Sequence, residues 1–181
     1  FALASPKGAT RRREAALLAL PNALPSGDYR LIVSRPDDAG RDIRSDTPCT
    51  VEAREFPSET VSLDVANTAI KRNLGPERMA QIEELNAILF RADEGAERFP
   101  GPFAPPLTST RRTSRFAERR IYEYSDGTSE RTTHFGVDFG VPRGTPVFAA
   151  GDGRVILAKS RISTGWTGVL EHFPGVYSLY Y

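Results

Sequence analysis

The run Phe99-Pro100-Gly101-Pro102-Phe103-Ala104-Pro105-Pro106 constrains this chain more than any other segment. Each proline lacks a backbone N–H and fixes φ near −65°, so neither a helix nor a central strand can pass through four of them. The chain is therefore expected to fold as two parts joined by a linker. A length of 181 residues suits one large domain or two small ones. Phe99 and Phe103 flank the prolines and favour packing on a domain surface. A proline-rich binding ligand is the other reading of the same run.

Ahead of the linker the pattern is β. After the turn signal Pro25-Ser26-Gly27-Asp28, the stretch Tyr29 to Val33 alternates and is rich in β-formers. A loop is read at Pro36 to Gly40. Strands are read at Thr50 to Arg54 and Thr60 to Val65. Short strands with polar turns predict a β-sandwich-like module over residues 1–70, incomplete at its front. One helix is predicted from Gly75-Pro76-Glu77, where proline at the first helical position and an early acidic residue mark a start. Its Met79, Ile82, Leu85 and Leu89 recur at helical spacing, a core-facing stripe, and it is read to end between Arg91 and Gly95. Residues 71–107 form the helical connector and proline linker.

Behind the linker, residues 108–181 again read as β. Arg120 to Tyr124 alternates and Ser125-Asp126-Gly127 is a hairpin turn. Further strands are read at Thr145 to Ala149, Arg154 to Ala158, Gly168 to Glu171 and Val176 to Tyr181. No internal repeat stands out.

Composition narrows the function classes. The 24 basic and 23 acidic residues leave a net charge of +1, so total charge gives no argument for nucleic acid. Arg11-Arg12-Arg13 and the cluster Arg111, Arg112, Arg115, Arg119 and Arg120 read as solvated surface, the latter paired with Glu118, Glu123 and Asp126. The longest apolar stretch, Ala15 to Leu20, is far short of the ~20 residues that span a bilayer. The one cysteine, Cys49, excludes an internal disulfide and a multi-cysteine zinc site, and is read as a buried residue on a strand. The sequence starts at Phe1 with no initiator Met and no recognisable signal peptide, so location has to be inferred from function.

There are two histidines, His134 and His172. His134 opens His134-Phe135-Gly136-Val137-Asp138. An imidazole and a carboxylate four residues apart can converge on one ion if the backbone turns between them, and Gly136 makes that easy. Taken alone the match is weak, since a His near an Asp is common by chance. The following residues change that. Pro142-Arg143-Gly144-Thr145-Pro146-Val147, a small-residue loop at Ala150 to Gly153 and the strand at Arg154-Val155 come in order. Upstream, Ser114-Arg115-Phe116-Ala117-Glu118-Arg119 adds a Ser-x-Phe-x-x-Arg segment. From about Thr113 onward the chain resembles the lysostaphin/LytM-type zinc metallopeptidases.

That resemblance implies a zinc endopeptidase cleaving peptide cross-links of bacterial peptidoglycan, with Zn²⁺ (Zn2+) as cofactor. It implies His134 and Asp138 as metal ligands. The third ligand would be the second His of a His-x-His motif, and the catalytic histidines would lie beyond Tyr181. Zinc of this kind lowers the pKa of a bound water and polarises a carbonyl.

Departures from the family pattern temper this. The His-x-His motif is absent, so two of the three expected protein ligands are present. Ala117 stands where the family usually has Gly, and Trp166-Thr167-Gly168 where it more often has Gly-Asn. His172 matches a strand end and is read as structural or surface. Tyr177, Tyr180 and Tyr181 are read as core and groove packing.

The expected protein is mainly β, with a β-sandwich-like front, a helical connector, and the first part of a LytM-type antiparallel sheet of the duplicated-hybrid-motif kind. It is expected to be periplasmic or secreted. Residues 1–181 alone are expected to be inactive, with the remainder of the protein as a separate or missing piece. The competing reading is a non-catalytic LytM-like activator or scaffold of cell-wall hydrolases, which retention of both His134 and Asp138 disfavours. A binding role for the front module finds no aromatic platform to support it.

Overall fold

The structure, a computed structural model, describes residues 2–3, 13–14, 17–37, 39–91, 99 and 101–181. Arg11 and Arg12, the start of the apolar stretch at Ala15, Asp38, the read helix end beyond Arg91 and Pro100 lie outside the described residues. The chain divides into two units, Phe1–Glu55 and Phe56–Tyr181.

In the first unit, strands β1 (Ala2–Leu3) and β2 (Arg13–Glu14) form a short antiparallel ladder. Strands β3 (Gly27–Pro36) and β4 (Asp42–Val51) form a long hairpin, in unbroken register from Gly27 opposite Val51 to Pro36 opposite Asp42. The front module read as sandwich-like takes this form. The tip is built by Asp37. Its carboxylate accepts the backbone N–H groups of Ala39 (2.9 Å) and Arg41 (2.8 Å) and pairs with the Arg41 guanidinium at 2.7 Å. The Arg41 N–H is the largest of the contacts that hold the Asp37 carboxyl below its ordinary value. Gly40 completes the turn at φ +77°, where a side chain would strain. Cys49 pairs with Tyr29 and is exposed, correcting the expectation of a buried thiol. With both faces of the hairpin open, alternation gives no inner side to bury it.

Among the described residues the second unit holds three sheets and two helices. Strand β5 (Ser58–Ser62) runs parallel to β7 (Arg119–Glu123), which pairs antiparallel with β8 (Ser129–Thr133). Thus the strand read near residue 60 belongs with the back unit, and the division falls at Glu55 rather than at residue 70. Strands β6 (Arg112–Ser114) and β9 (Asp138–Phe139) form a small antiparallel pair. Strands β10 (Arg154–Arg161), β11 (Gly165–Phe173) and β12 (Val176–Tyr180) form an antiparallel meander. Val169, Leu157, Phe173 and Ala117 are among the buried apolar residues.

Helix α1 (Val65–Arg72) was not read from the sequence. Asp64 caps it by accepting Asn67 N–H at 2.7 Å, and Lys71 and Arg72 complement its C-terminal dipole. It fastens to the β7–β8 hairpin: Lys71 lies over the Tyr122 ring and Arg72 over Tyr124, with Arg72 also paired to Asp126. Helix α2 (Pro76–Leu89) starts at its proline as expected. Its stripe is half-buried at Ile82, Leu85 and Leu89, while Met79 is exposed. Polar contacts to the β10–β11 hairpin supplement it: Gln81 O accepts Arg161 at 2.7 Å, and Gln81 Oε1 accepts Ile162 N–H at 2.9 Å.

The proline run is a strap rather than a free tether. Phe99 N–H donates to His172 O (2.9 Å), Ala104 N–H to Ala150 O (2.6 Å), and Phe148 N–H to Pro106 O (2.8 Å). Phe103 sets its ring edge-on to His172 at 4.9 Å. Prolines bar this segment from a ladder, yet Phe99 N–H, Ala104 N–H and Pro106 C=O still find partners. The strap explains one correction. Thr145 to Ala149, read as a strand, joins no ladder, because Pro146 lacks a donor and Phe148 bonds to the strap instead.

Candidate metal centre

His134 follows β8 and Asp138 opens β9, so the five residues between and including them span one turn of chain. The turn brings His134 Nε2 to 3.3 Å from Asp138 Oδ1. The imidazole is held from behind. Nδ1 lies 3.1 Å from Arg115 O, and the His134 backbone donates to Glu118 O (2.8 Å) and accepts from Ala117 N–H (2.7 Å). Residues 115–118 therefore grip His134 on both backbone and ring. To make that grip Ala117 adopts φ +66° and is wholly buried. This is the left-handed conformation that glycine takes at low cost, which gives the Ala-for-Gly departure a concrete meaning.

The tautomer follows from the partners. A carbonyl can only accept, so Nδ1 carries the hydrogen, and a neutral ring then presents the Nε2 lone pair toward Asp138. Two lone pairs 3.3 Å apart repel unless a proton or a cation lies between them. Two ligands each about 2.0–2.1 Å from a tetrahedral zinc stand about 3.4 Å apart, so the observed separation fits that ion. Gly136 keeps the approach open: a Cβ there would come to 3.4 Å from His134 Nε2. The donor set, one imidazole nitrogen and one carboxylate oxygen, also suits zinc. Among the described residues no cluster of three His, Cys, Asp or Glu side chains forms a metal site.

Asp138 has a second partner that the sequence reading missed. Arg120 Nη2 on β7 donates to Asp138 Oδ2 at 2.6 Å. Arg120 had been read as solvated surface, but its side chain is only 15% exposed. Burial pulls the guanidinium down, and its bonds to Asp138 and Tyr122 outweigh this and hold it above its ordinary value. The available signal was positional: Arg120 and Tyr122 share a face of an alternating strand.

His172 is not brought to this centre. It is 1% exposed within β11, with Nδ1 2.6 Å from Asp152 O and Nε2 2.8 Å from Ser178 Oγ. Both ring nitrogens are taken, so the structural half of its reading describes it and the surface half does not. Tyr180 Oη accepts Ala150 N–H at 2.6 Å, and Tyr177 Oη donates to Arg91 O at 2.9 Å. Trp166, at the β10–β11 tip, is 79% exposed. Phe116, Phe135 and Val137, beside the two candidate ligands in sequence, are also exposed.

The sequence pattern of Peptidase family M23 matches residues 132–181. A crystal structure of a protein from Pseudomonas aeruginosa, named there as a candidate M23 peptidase, shares the fold at a TM-score of 0.54 and 20% identity. That similarity covers 90% of this chain and 54% of the other, so this chain spans about half the length of the protein it matches. Over residues 132–181, which contain both His134 and Asp138, the chain is similar to peptidase family M23.

Proposed function

We propose that the protein of which these residues are part is a zinc metalloendopeptidase that cleaves peptide cross-links of peptidoglycan, acting in the periplasm or outside the cell. One observation carries the metal assignment: His134 Nε2 and Asp138 Oδ1 stand 3.3 Å apart with the other imidazole nitrogen already bonded to Arg115 O. Bound there, zinc would supply a water acidic enough to attack at neutral pH and a Lewis-acid contact to the scissile carbonyl. The chain's own residues prepare the site. Arg115 O fixes the ring and its tautomer, Gly136 keeps the nitrogen face clear, and Arg120 holds the carboxylate. The exposed Phe116, Phe135 and Val137 offer an apolar flank for a peptide.

Peptidoglycan as substrate rests on the similarity to peptidase family M23. Residues 1–181 bring two of the three protein ligands that the resemblance implies. We therefore assign the activity to the whole protein and expect residues 1–181 alone to release no muropeptides. The test is zinc content and muropeptide release by the full-length protein, with His134→Ala, Asp138→Ala and chelator-treated samples. Loss of zinc and of release in all three is expected. Undiminished release after chelation would defeat the reading. A protein that binds peptidoglycan or a hydrolase without cutting would favour the scaffold alternative.

A further inference from the structure

We propose that Arg120 is a positioning residue for the metal centre: it occupies one carboxylate oxygen of Asp138 and leaves the other as the single oxygen offered to the ion. This rests on the zinc reading above. The two oxygens of Asp138 have different neighbours. Oδ2 takes Arg120 Nη2 at 2.6 Å, and Oδ1 faces His134 Nε2 at 3.3 Å. A carboxylate can bind an ion through one oxygen or both. A short charge-assisted bond on one of them selects the one-oxygen mode. That mode keeps coordination positions open for water and substrate.

Arg120 is fixed well enough to do this. It lies on the central strand of its sheet, with β5 on one side and β8 on the other. Tyr122 is a further partner. Its Nε is buried with no hydrogen-bond partner, and Glu59 of β5 stands 3.9 Å away. A buried N–H without a partner is a cost, and such groups call for an explanation. Holding the guanidinium where Nη2 meets Asp138 supplies one. Strand β5 lies outside the M23-matched segment, so the centre draws support from sequence well ahead of it.

Two effects of Arg120 on a cation oppose each other. Its positive charge repels the ion, so removing it by that effect alone tightens binding. Its orientation of Asp138 favours the ion, so removing it by that effect alone weakens binding. The sign of the change separates a positioning residue from a neighbouring charge.

The experiment measures zinc affinity by chelator competition, and the visible spectrum after Co²⁺ substitution, in the full-length protein. Variants are Arg120→Met, Arg120→Lys and, as reference, Asp138→Ala. Circular dichroism and the unfolding midpoint report whether each variant folds. Arg120→Met is expected to weaken zinc binding by about tenfold or more, in the range of outer-shell partners of metal ligands. Its Co²⁺ bands should lose intensity as Asp138 turns to two-oxygen ligation and the coordination number rises. Arg120→Lys, which keeps a donor and a charge, should recover part of both, and carries the test if the Met variant does not fold. Unchanged or tighter zinc binding with an unchanged Co²⁺ spectrum, while Asp138→Ala loses zinc, overturns the role of Arg120 and leaves the zinc reading intact. Zinc retained by Asp138→Ala, or none in the wild type, overturns both.

Discussion

Replacing His172 with Ala should destabilise the second unit severely without touching the candidate metal centre. The ring is 1% exposed and bonded at both nitrogens, to Asp152 O at 2.6 Å and Ser178 Oγ at 2.8 Å. Ser178 Oγ lies 2.9 Å from Tyr180 Oη, which accepts Ala150 N–H, so the ring closes a continuous run of hydrogen bonds from β11 to the loop before β10. Two lost bonds remove about 2 kcal/mol at about 1 kcal/mol each. Vacating the ring's volume beneath Phe103 adds about 1–2 kcal/mol, at the low end of large-to-small core changes because the strap can partly collapse. The total is about 3–4 kcal/mol, which at about 3 °C per kcal/mol lowers Tm by about 10 °C for a unit of this size. Urea unfolding followed by fluorescence measures it. Ser178→Ala should cost about 1 kcal/mol, and the double variant less than the sum, because both changes break the same bond. A change under about 1 kcal/mol in His172→Ala would refute the assignment of this network to stability. Zinc content below Tm should match the wild type, and its loss would mean that His172 serves the metal after all.

Other outcomes follow from single contacts. Gly153→Ala would place a Cβ 2.7 Å from Glu171 O and 2.9 Å from His172 Nδ1. It should cost about 2 kcal/mol, checked by the same unfolding assay, since the nearest atom is backbone and cannot swing aside. Ala117→Gly relieves left-handed strain of about 1–2 kcal/mol but loses a buried methyl and gains unfolded-chain entropy, so stability should stay within about 1 kcal/mol. Ala117→Val at φ +66° should be destabilising by more than about 2 kcal/mol and lower zinc retention, because residue 117 grips His134. Asp126 has its carboxyl lowered to about 2, first by the Thr128 hydroxyl and N–H and then by Arg72. A depressed folded value means stability that is present above the ordinary 3.8 and lost as pH falls through about 2. Asp126→Asn should flatten the dependence of the urea midpoint on pH across that window, and an unchanged slope would rule this contact out.

What the sequence made legible was local. The strand at Arg120, the turn at Ser125 to Gly127, and the strands after Arg154 are encoded by alternation and turn residues a few positions apart. The start of α2 is written in Pro76. Contacts across long separations were not legible. Nothing near Ser58 announces that it will lie parallel to Arg119, and nothing near Arg120 names Asp138 as its partner. Helix α1 carried a usable signal in Asp64, but eight residues of mixed polarity offer little period to read. Thr145 to Ala149 has the composition of a strand and was read as one. Its fate is decided by Pro146, which lacks a donor, and by the strap, whose Pro106 C=O takes the Phe148 N–H in place of a ladder. His134 and Asp138 are singled out as candidates only through the pattern around them, since the pair alone is ambiguous.

The parallel pairing of β5 with β7 also dictates an order of assembly. β7 and β8 meet through a short turn and can form as soon as both exist. β5 is made earlier in synthesis but has nothing to dock on until the chain has passed through both helices and the strap. Closing so long a loop costs entropy before the new contacts repay it, and such non-local pairing is slow. The first strand of the unit is therefore its late arrival. A nascent chain halted before Arg119 would leave β5 as a bare edge, open to pairing with a neighbour on the same message.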